Sequence, residues 1–154
     1  GEGDAPTPRF IIAAAEQALA AGRTFYGPVL GHPETRQEIS DYYRRIYGLD
    51  VPAERIFVTG SGTTAMHLAL TALLDAGDEV IAVTPIWKNL LGAVELAQAR
   101  VFEFPLSESD GRWHFDPGKL AQACTPRTKA ILVTSPANPS GTVMSEDHIN
   151  QVLD

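Results

Sequence analysis

The stretch FVTGSGTTAMHLALTALLDAGDEVIAV, residues 57–83, decides the fold. It begins with a short apolar run typical of a buried strand, and the glycine-rich turn Gly60–Gly62 follows. From Thr63 to Leu74 the residues are mostly apolar and favour a helix, which DAGDE ends. A second apolar run, Val80–Val83, indicates another buried strand. The order strand, helix, strand predicts a parallel βαβ unit.

The same alternation continues on both sides of this unit. Apolar patterns and turn signals predict helices at 9–21, 33–47, 88–98 and 117–124, a last helix capped by Ser145, and strands at 55–59, 80–83, 100–104 and 129–134. SESDGRWHF contains an Asp-Gly turn signal and indicates a small hairpin. We expect an α/β fold with a mostly parallel sheet and helices on both faces, incomplete in this chain. Residues 1–48 would lead into the large domain, and 49–154 would be part of it.

Composition narrows the class of protein. The 154 residues carry a net charge of -7, which argues against a large nucleic-acid surface. No run approaches the ~18 apolar residues of a membrane helix, and GEGDAPTPRF does not resemble a signal peptide. Cys124 is the only cysteine, so an internal disulfide is excluded. These features predict a cytoplasmic enzyme that binds neither nucleic acid nor membrane.

The turn Gly60–Ala65 has the geometry of a phosphate site. Glycine allows close approach to the backbone, and the N-terminus of the following helix offers free N–H groups. The Ser61 and Thr63 hydroxyls are further donors. A helix N-cap with a tight turn and no ligand explains the turn equally well.

The same residues also fit the dinucleotide pattern G-x-G-x-x-A. That pattern needs an acidic residue at the end of the next strand. Asp78 and Glu79 lie at about the expected distance, but they precede the strand Val80–Val83. They are therefore expected at the opposite edge of the sheet, which makes dinucleotide binding the minor alternative.

Two further side chains follow strands at the edge of the phosphate turn. Trp87 comes just after the second strand and could stack on a flat ring, or simply cover the end of the sheet. Asn138 lies in the turn after the fourth strand and offers an amide donor, although asparagine is common in turns. For Trp87 and for Asn138 taken singly, the purely structural explanation is sufficient. Together, the three features describe a phosphorylated planar ligand with a hydrogen-bond acceptor, and pyridoxal 5′-phosphate (PLP) is such a molecule.

Three segments resemble the class I/II aminotransferases of fold type I. They are YGPVLGHPETRQEI at 26–39, residues 57–87 with the aromatic after Pro85, and ILVTSPANPSGTV at 131–143. The resemblance implies that Ser61, Gly62 and Thr63 bind the phosphate of PLP. It also implies that Trp87 stacks on the pyridine ring and that Asn138 bonds the phenolic oxygen.

The resemblance also implies partners. Tyr26 matches a tyrosine that reaches the phosphate of the neighbouring subunit, so a homodimer is expected. Gly1 matches a glycine beside the substrate carboxylate, and Trp87 and Asn138 would also border the amino acid and 2-oxo acid substrates. Family members often have cis peptides at Thr84-Pro85 and Asn138-Pro139, and we expect at least one.

The chain lacks the lysine context in which this family binds PLP covalently. Lys88, Lys119 and Lys129 are the only lysines, and all three are expected to be solvated. We therefore expect an N-terminal portion of the enzyme, with no catalytic residue and no metal ligand in this chain. Two alternatives remain: another fold type I reaction such as C–S lyase or β-elimination, and a non-catalytic nucleotide-binding module.

Overall fold

The computed structural model describes residues 3–153, which form two compact units, 3–58 and 59–153. The first unit contains helix α1 (Arg9–Ala20), helix α2 (Pro33–Tyr47) and a 3₁₀ turn (Ala53–Arg55). The sequence explains both ends of α2, because Pro33 occupies the first turn and Gly48 ends the helix in a left-handed conformation with φ of 67°. The assignment of 1–48 and 49–154 to separate parts of the fold stays a prediction.

The second unit contains a parallel sheet in the order β2-β1-β5. The elements in chain order are α3 (Gly62–Leu73), β1 (Glu79–Thr84), α4 (Lys88–Leu96), β2 (Arg100–Pro105), β3 (Ser107–Ser109), β4 (Arg112–His114), α5 (Pro117–Ala123), β5 (Thr128–Leu132) and α6 (Glu146–Leu153). The predicted α/β fold is therefore confirmed. The DG hairpin is also confirmed, with β3 and β4 antiparallel around Asp110 and Gly111.

Helices cover both faces of the sheet. Val80 and Ala82 of β1 pack in one apolar core with Leu70 of α3 and Val94 of α4. Successive strand residues point to opposite faces, and Val83 lines a cavity with His148 of α6. Because β1 is the central strand and is buried along its whole length, it fixes the positions of the segments that follow it.

The predicted strand at 55–59 is wrong. Ala53–Arg55 is a 3₁₀ turn, and Ile56 is extended without belonging to a strand. The Val58 N–H donates to the Leu30 carbonyl at 3.0 Å rather than to a strand neighbour. An apolar run becomes a strand only when a partner supplies a hydrogen-bond ladder, and no strand within residues 3–153 pairs with this one.

Candidate cofactor site

Ser61 caps the helix that follows the predicted phosphate turn. Its Oγ accepts from the Thr64 N–H at 3.1 Å and lies 2.9 Å from Thr64 Oγ1. The Thr59 hydroxyl donates to the Ser61 carbonyl at 2.7 Å and braces the turn from the other side. The capping explanation is thus realised in the structure. It occupies one lone pair of Ser61 and leaves the turn exposed.

Capping does not use the first donors of α3. The N–H groups of Gly62 and Thr63 open the helix, where intrahelical acceptors are lacking. A Cβ added at Gly60 or Gly62 would meet no atom within 4 Å, and neither glycine has positive φ. Neither crowding nor backbone conformation therefore requires glycine here, and the turn can admit an anion close to its N–H groups.

Trp87 lies three residues beyond the carboxyl end of β1, as the sequence predicts. It is the N-cap residue of α4 and is 40% exposed. Helix α4 packs against α3, the helix that carries the phosphate turn. Thr63 and Asn89 line one surface groove between these helices. Trp87 therefore lies at the start of α4, and the neighbouring helix α3 starts at the phosphate turn.

Asn138 lies in the loop that follows β5, and its side chain is exposed. Within residues 3–153 the Asn138 amide has no hydrogen-bond partner, so it is available to a ligand. The loop lies beside the segment of Trp87, because Pro85 and Ala137 line one cavity of about 120 Å³ together with Val83 and Val133. The structure therefore brings the segments that bear Trp87 and Asn138 together at the carboxyl edge.

The expectation of at least one cis peptide is confirmed. Thr84-Pro85 and Asn138-Pro139 are cis, and so is Ser135-Pro136.

The roles predicted for Tyr26 and Gly1 stay predictions. Tyr26 belongs to the first unit and is fully exposed. Gly1 lies outside the described residues. Lys88 and Lys129 are exposed, and Lys119 forms a 3.5 Å surface ion pair with Asp116, as expected for solvated lysines.

An acidic residue occupies the opposite edge of the sheet. Glu79 begins β1 and is only 1% exposed. Its carboxylate accepts from the Thr125 hydroxyl at 2.5 Å and from Arg127 Nε at 2.7 Å. These two hydrogen bonds, with that from Thr125 the larger cause, lower the pKa of Glu79 against the opposing effect of burial. Glu79 therefore has a structural role at the start of β1. Asp78 Oδ2 accepts from the Asp75 N–H at 2.8 Å, so neither acidic residue lies at the end of the strand, where dinucleotide binding requires one.

Sequence reasoning missed the hydroxyl groups that shape the Asn138 loop. Ser140 donates to Thr142 Oγ1 at 2.9 Å, and Ser135 Oγ accepts from the Met144 N–H at 3.0 Å. The available signal was the recurrence of Ser and Thr on both sides of the Asn-Pro pair. Such hydroxyls commonly close turns through local hydrogen bonds.

Within the described part of the chain, no group of three or more His, Cys, Asp or Glu side chains is arranged to hold a metal ion. The helices between residues 3 and 153 are also too short or too polar to cross a membrane.

Known proteins resemble this chain over nearly its whole length. The profile of the family described as aminotransferase class I and II matches residues 1–154. A probable aspartate/prephenate aminotransferase from Thermus aquaticus is 40% identical over 147 residues. That alignment covers 96% of this chain and 38% of the relative. A probable aspartate aminotransferase from Methanocaldococcus jannaschii is 37% identical, with 97% of this chain and 39% of the relative covered.

Solved structures share the fold. A Thermus thermophilus aspartate aminotransferase mutant superposes with a TM-score of 0.93 at 38% identity, covering 99% of this chain and 42% of that structure. The N-succinyldiaminopimelate aminotransferase from Mycobacterium tuberculosis gives a TM-score of 0.93 at 32% identity, covering 99% and 40%. The chain thus spans about two fifths of the length of these relatives. By sequence profile, relatives and fold, it belongs to the class I and II aminotransferase family.

Proposed function

We propose that this chain provides the phosphate-binding and ring-binding part of a PLP-dependent enzyme that transfers an amino group between an amino acid and a 2-oxo acid. One observation carries the proposal. The turn Ser61–Thr63 begins a helix that packs against the helix begun by Trp87, and the loop of Asn138 meets the segment before Trp87. Ligands of parallel sheets bind at this carboxyl edge.

The residues present fit PLP. A phosphate dianion needs several donors and a positive dipole end, and the first N–H groups of α3 and the Thr63 hydroxyl supply them. The flat pyridine ring needs an aromatic face, which the exposed part of Trp87 offers. The phenolic oxygen needs a donor, and the free amide of Asn138 is one. The residues of the site therefore match the phosphate, the ring face and the phenolic oxygen of the cofactor.

The chain's own residues perform binding and orientation. The turn Ser61–Thr63 fixes the phosphate, and Trp87 restricts the tilt of the ring. The amide of Asn138 donates to the phenolic oxygen and stabilises its negative charge. When bound, PLP supplies the electron sink for amino-acid chemistry. Trp87 and Asn138 also border the substrate in this proposal, and Gly1 would approach its carboxylate.

A homodimer completes the proposal, with Tyr26 reaching the phosphate in the partner subunit. Its support is the exposed apolar surface of the first unit. Phe25, Tyr26 and Val29 are almost completely exposed in one loop, and Ser40 is the only buried residue among residues 3–58. Large apolar side chains exposed close together in one loop are typical of protein interfaces. Sedimentation of the full-length protein should show two protomers, and a Tyr26→Phe variant should bind PLP more weakly.

We also propose a cytoplasmic location. Its support is the single cysteine, Cys124, which is free and exposed and forms no structural disulfide. Fractionation of cells that express the full-length protein tests this proposal.

The full-length protein tests the activity. It should bind PLP in a stoichiometric manner and transfer the amino group of an amino acid to 2-oxoglutarate. Glutamate formation that depends on both substrates supports transamination. Release of ammonia and an oxo acid without an acceptor would instead identify an elimination enzyme, and failure to bind PLP would reject both.

A further inference from the structure

Ser140 closes the tip of the loop that carries Asn138. Its hydroxyl donates to Thr142 Oγ1 at 2.9 Å and accepts from the Thr142 N–H at 3.3 Å. Two backbone bonds tighten the same turn, from the Ala137 N–H to the Thr142 carbonyl at 2.8 Å and from the Gly141 N–H to the Ala137 carbonyl at 2.7 Å. These bonds join residues on both sides of Asn138 and hold the backbone of the loop.

The base of the loop is closed separately. Ser135 Oγ accepts from the Met144 N–H at 3.0 Å, nine residues away along the chain. The two closures leave little freedom to the backbone between them, whereas the Asn138 side chain itself makes no hydrogen bond within residues 3–153. Because the loop backbone is ordered in advance, ligand binding costs little backbone entropy, and only the rotamer freedom of the Asn138 side chain is lost.

We propose that Ser140 is a positioning residue, which acts through Thr142 to hold the Asn138 amide against the ligand. The inference rests on the proposed contact between Asn138 and the phenolic oxygen of PLP. Ser140 does not touch the ligand in this proposal. Its hydroxyl fixes the turn, and the turn fixes the backbone position from which the Asn138 amide reaches the ligand.

The test uses the full-length, PLP-loaded protein. The pH midpoint of the absorbance change of the bound cofactor is measured for Asn138→Ala, Ser140→Ala, the double variant and the conservative variant Ser140→Thr. The Asn138 amide stabilises negative charge on the phenolic oxygen, so its loss should move the midpoint upward by about one unit. Ser140→Ala should move the midpoint in the same direction by about half a unit, as expected for one hydrogen bond lost indirectly. Ser140→Thr keeps the hydroxyl and should leave the pH midpoint at its wild-type value.

The double variant separates positioning from a general structural effect. If Ser140 acts through Asn138, the double variant has the same midpoint as Asn138→Ala alone. Additive shifts, or no shift in Ser140→Ala, overturn the inference and leave the proposed function intact. An unchanged midpoint in Asn138→Ala rejects the proposed contact itself. If Ser140→Ala does not fold, Thr142→Val removes the same side-chain acceptor and must give the same upward shift.

Discussion

Replacement of Trp87 by alanine should weaken PLP binding more than the matched replacement of Trp113. The two tryptophans are 40% and 41% exposed, so both substitutions remove similar amounts of buried apolar surface. A fully covered tryptophan buries up to about 250 Å², so each side chain here buries on the order of 150 Å². At ~25 cal/mol per Å² this area corresponds to at most about 4 kcal/mol of folding free energy for either variant.

The cofactor separates the two variants. Stacking on an aromatic ring is worth about 0.5–1.5 kcal/mol beyond the area that it covers. The dissociation constant of PLP should therefore rise about 2- to 12-fold in Trp87→Ala. Trp113 lies in the hairpin and lines the cavity that Ala137 of the Asn138 loop also lines, but it takes no part in the proposed stacking. Its variant should therefore change the constant less than about twofold.

The assay is an absorbance titration of the full-length apoprotein with PLP, combined with urea unfolding of each variant. Trp87→Phe, which keeps an aromatic face, should recover most of the affinity. Equal dissociation constants for the two alanine variants would show that the effect follows from lost packing rather than from stacking.

Three further predictions concern the fold and use the full-length protein. Leu70 is 4% exposed, so Leu70→Ala should lower the free energy of unfolding by about 2–5 kcal/mol. Leu73 lies on the same helix but is 69% exposed, so Leu73→Ala should change the free energy of unfolding by no more than about 0.5 kcal/mol. Equal urea midpoints for the two variants would contradict the assigned core. Gly141 has φ of 71°, so an alanine there would be strained, and Gly141→Ala should destabilise the protein by about 1–2 kcal/mol. Gly92 lies inside α4, so Gly92→Ala should stabilise the protein by about 0.5–1 kcal/mol. Urea unfolding that gives the opposite order of stability would disprove the left-handed turn. The pKa of Glu79 is lowered by folding, so its stabilising effect is present above the ordinary value of 4.5 and is lost as the pH falls through the folded value. The stability advantage of wild type over Glu79→Gln should therefore shrink on acidification, and a difference independent of pH would show that the carboxylate is not stabilised.

Local chemistry made most of the fold predictable. Pro33 and Gly48 mark both ends of α2, and the observed helix has the predicted bounds. The apolar run that contains Val80–Val83 is β1, extended by one residue at each end. The prediction of a strand at 55–59 is wrong because a strand depends on a partner that is distant in sequence, which no local pattern specifies.

The candidate site was predictable at the level of strand ends, but not of hydrogen bonds. The topology of a parallel sheet places Trp87 and Asn138 after the carboxyl ends of adjacent strands, as expected. The interactions of Ser140 and Glu79 depend on side-chain direction and on residues up to 48 positions away. The spacing of residues along the sequence therefore does not predict these hydrogen bonds. The relation of Tyr26 to the site stays a prediction for the same reason.

The most direct test of the central claim is a crystal structure of the full-length protein with PLP bound. We expect phosphate oxygens within about 2.7–3.2 Å of the Gly62 or Thr63 N–H groups, with the Asn138 amide at the same distance from the phenolic oxygen. The pyridine ring should lie against Trp87 with ring centroids about 4.5–7 Å apart. A phosphate bound away from the start of α3, with Trp87 and Asn138 free of the cofactor, would show that these residues do not form the cofactor site.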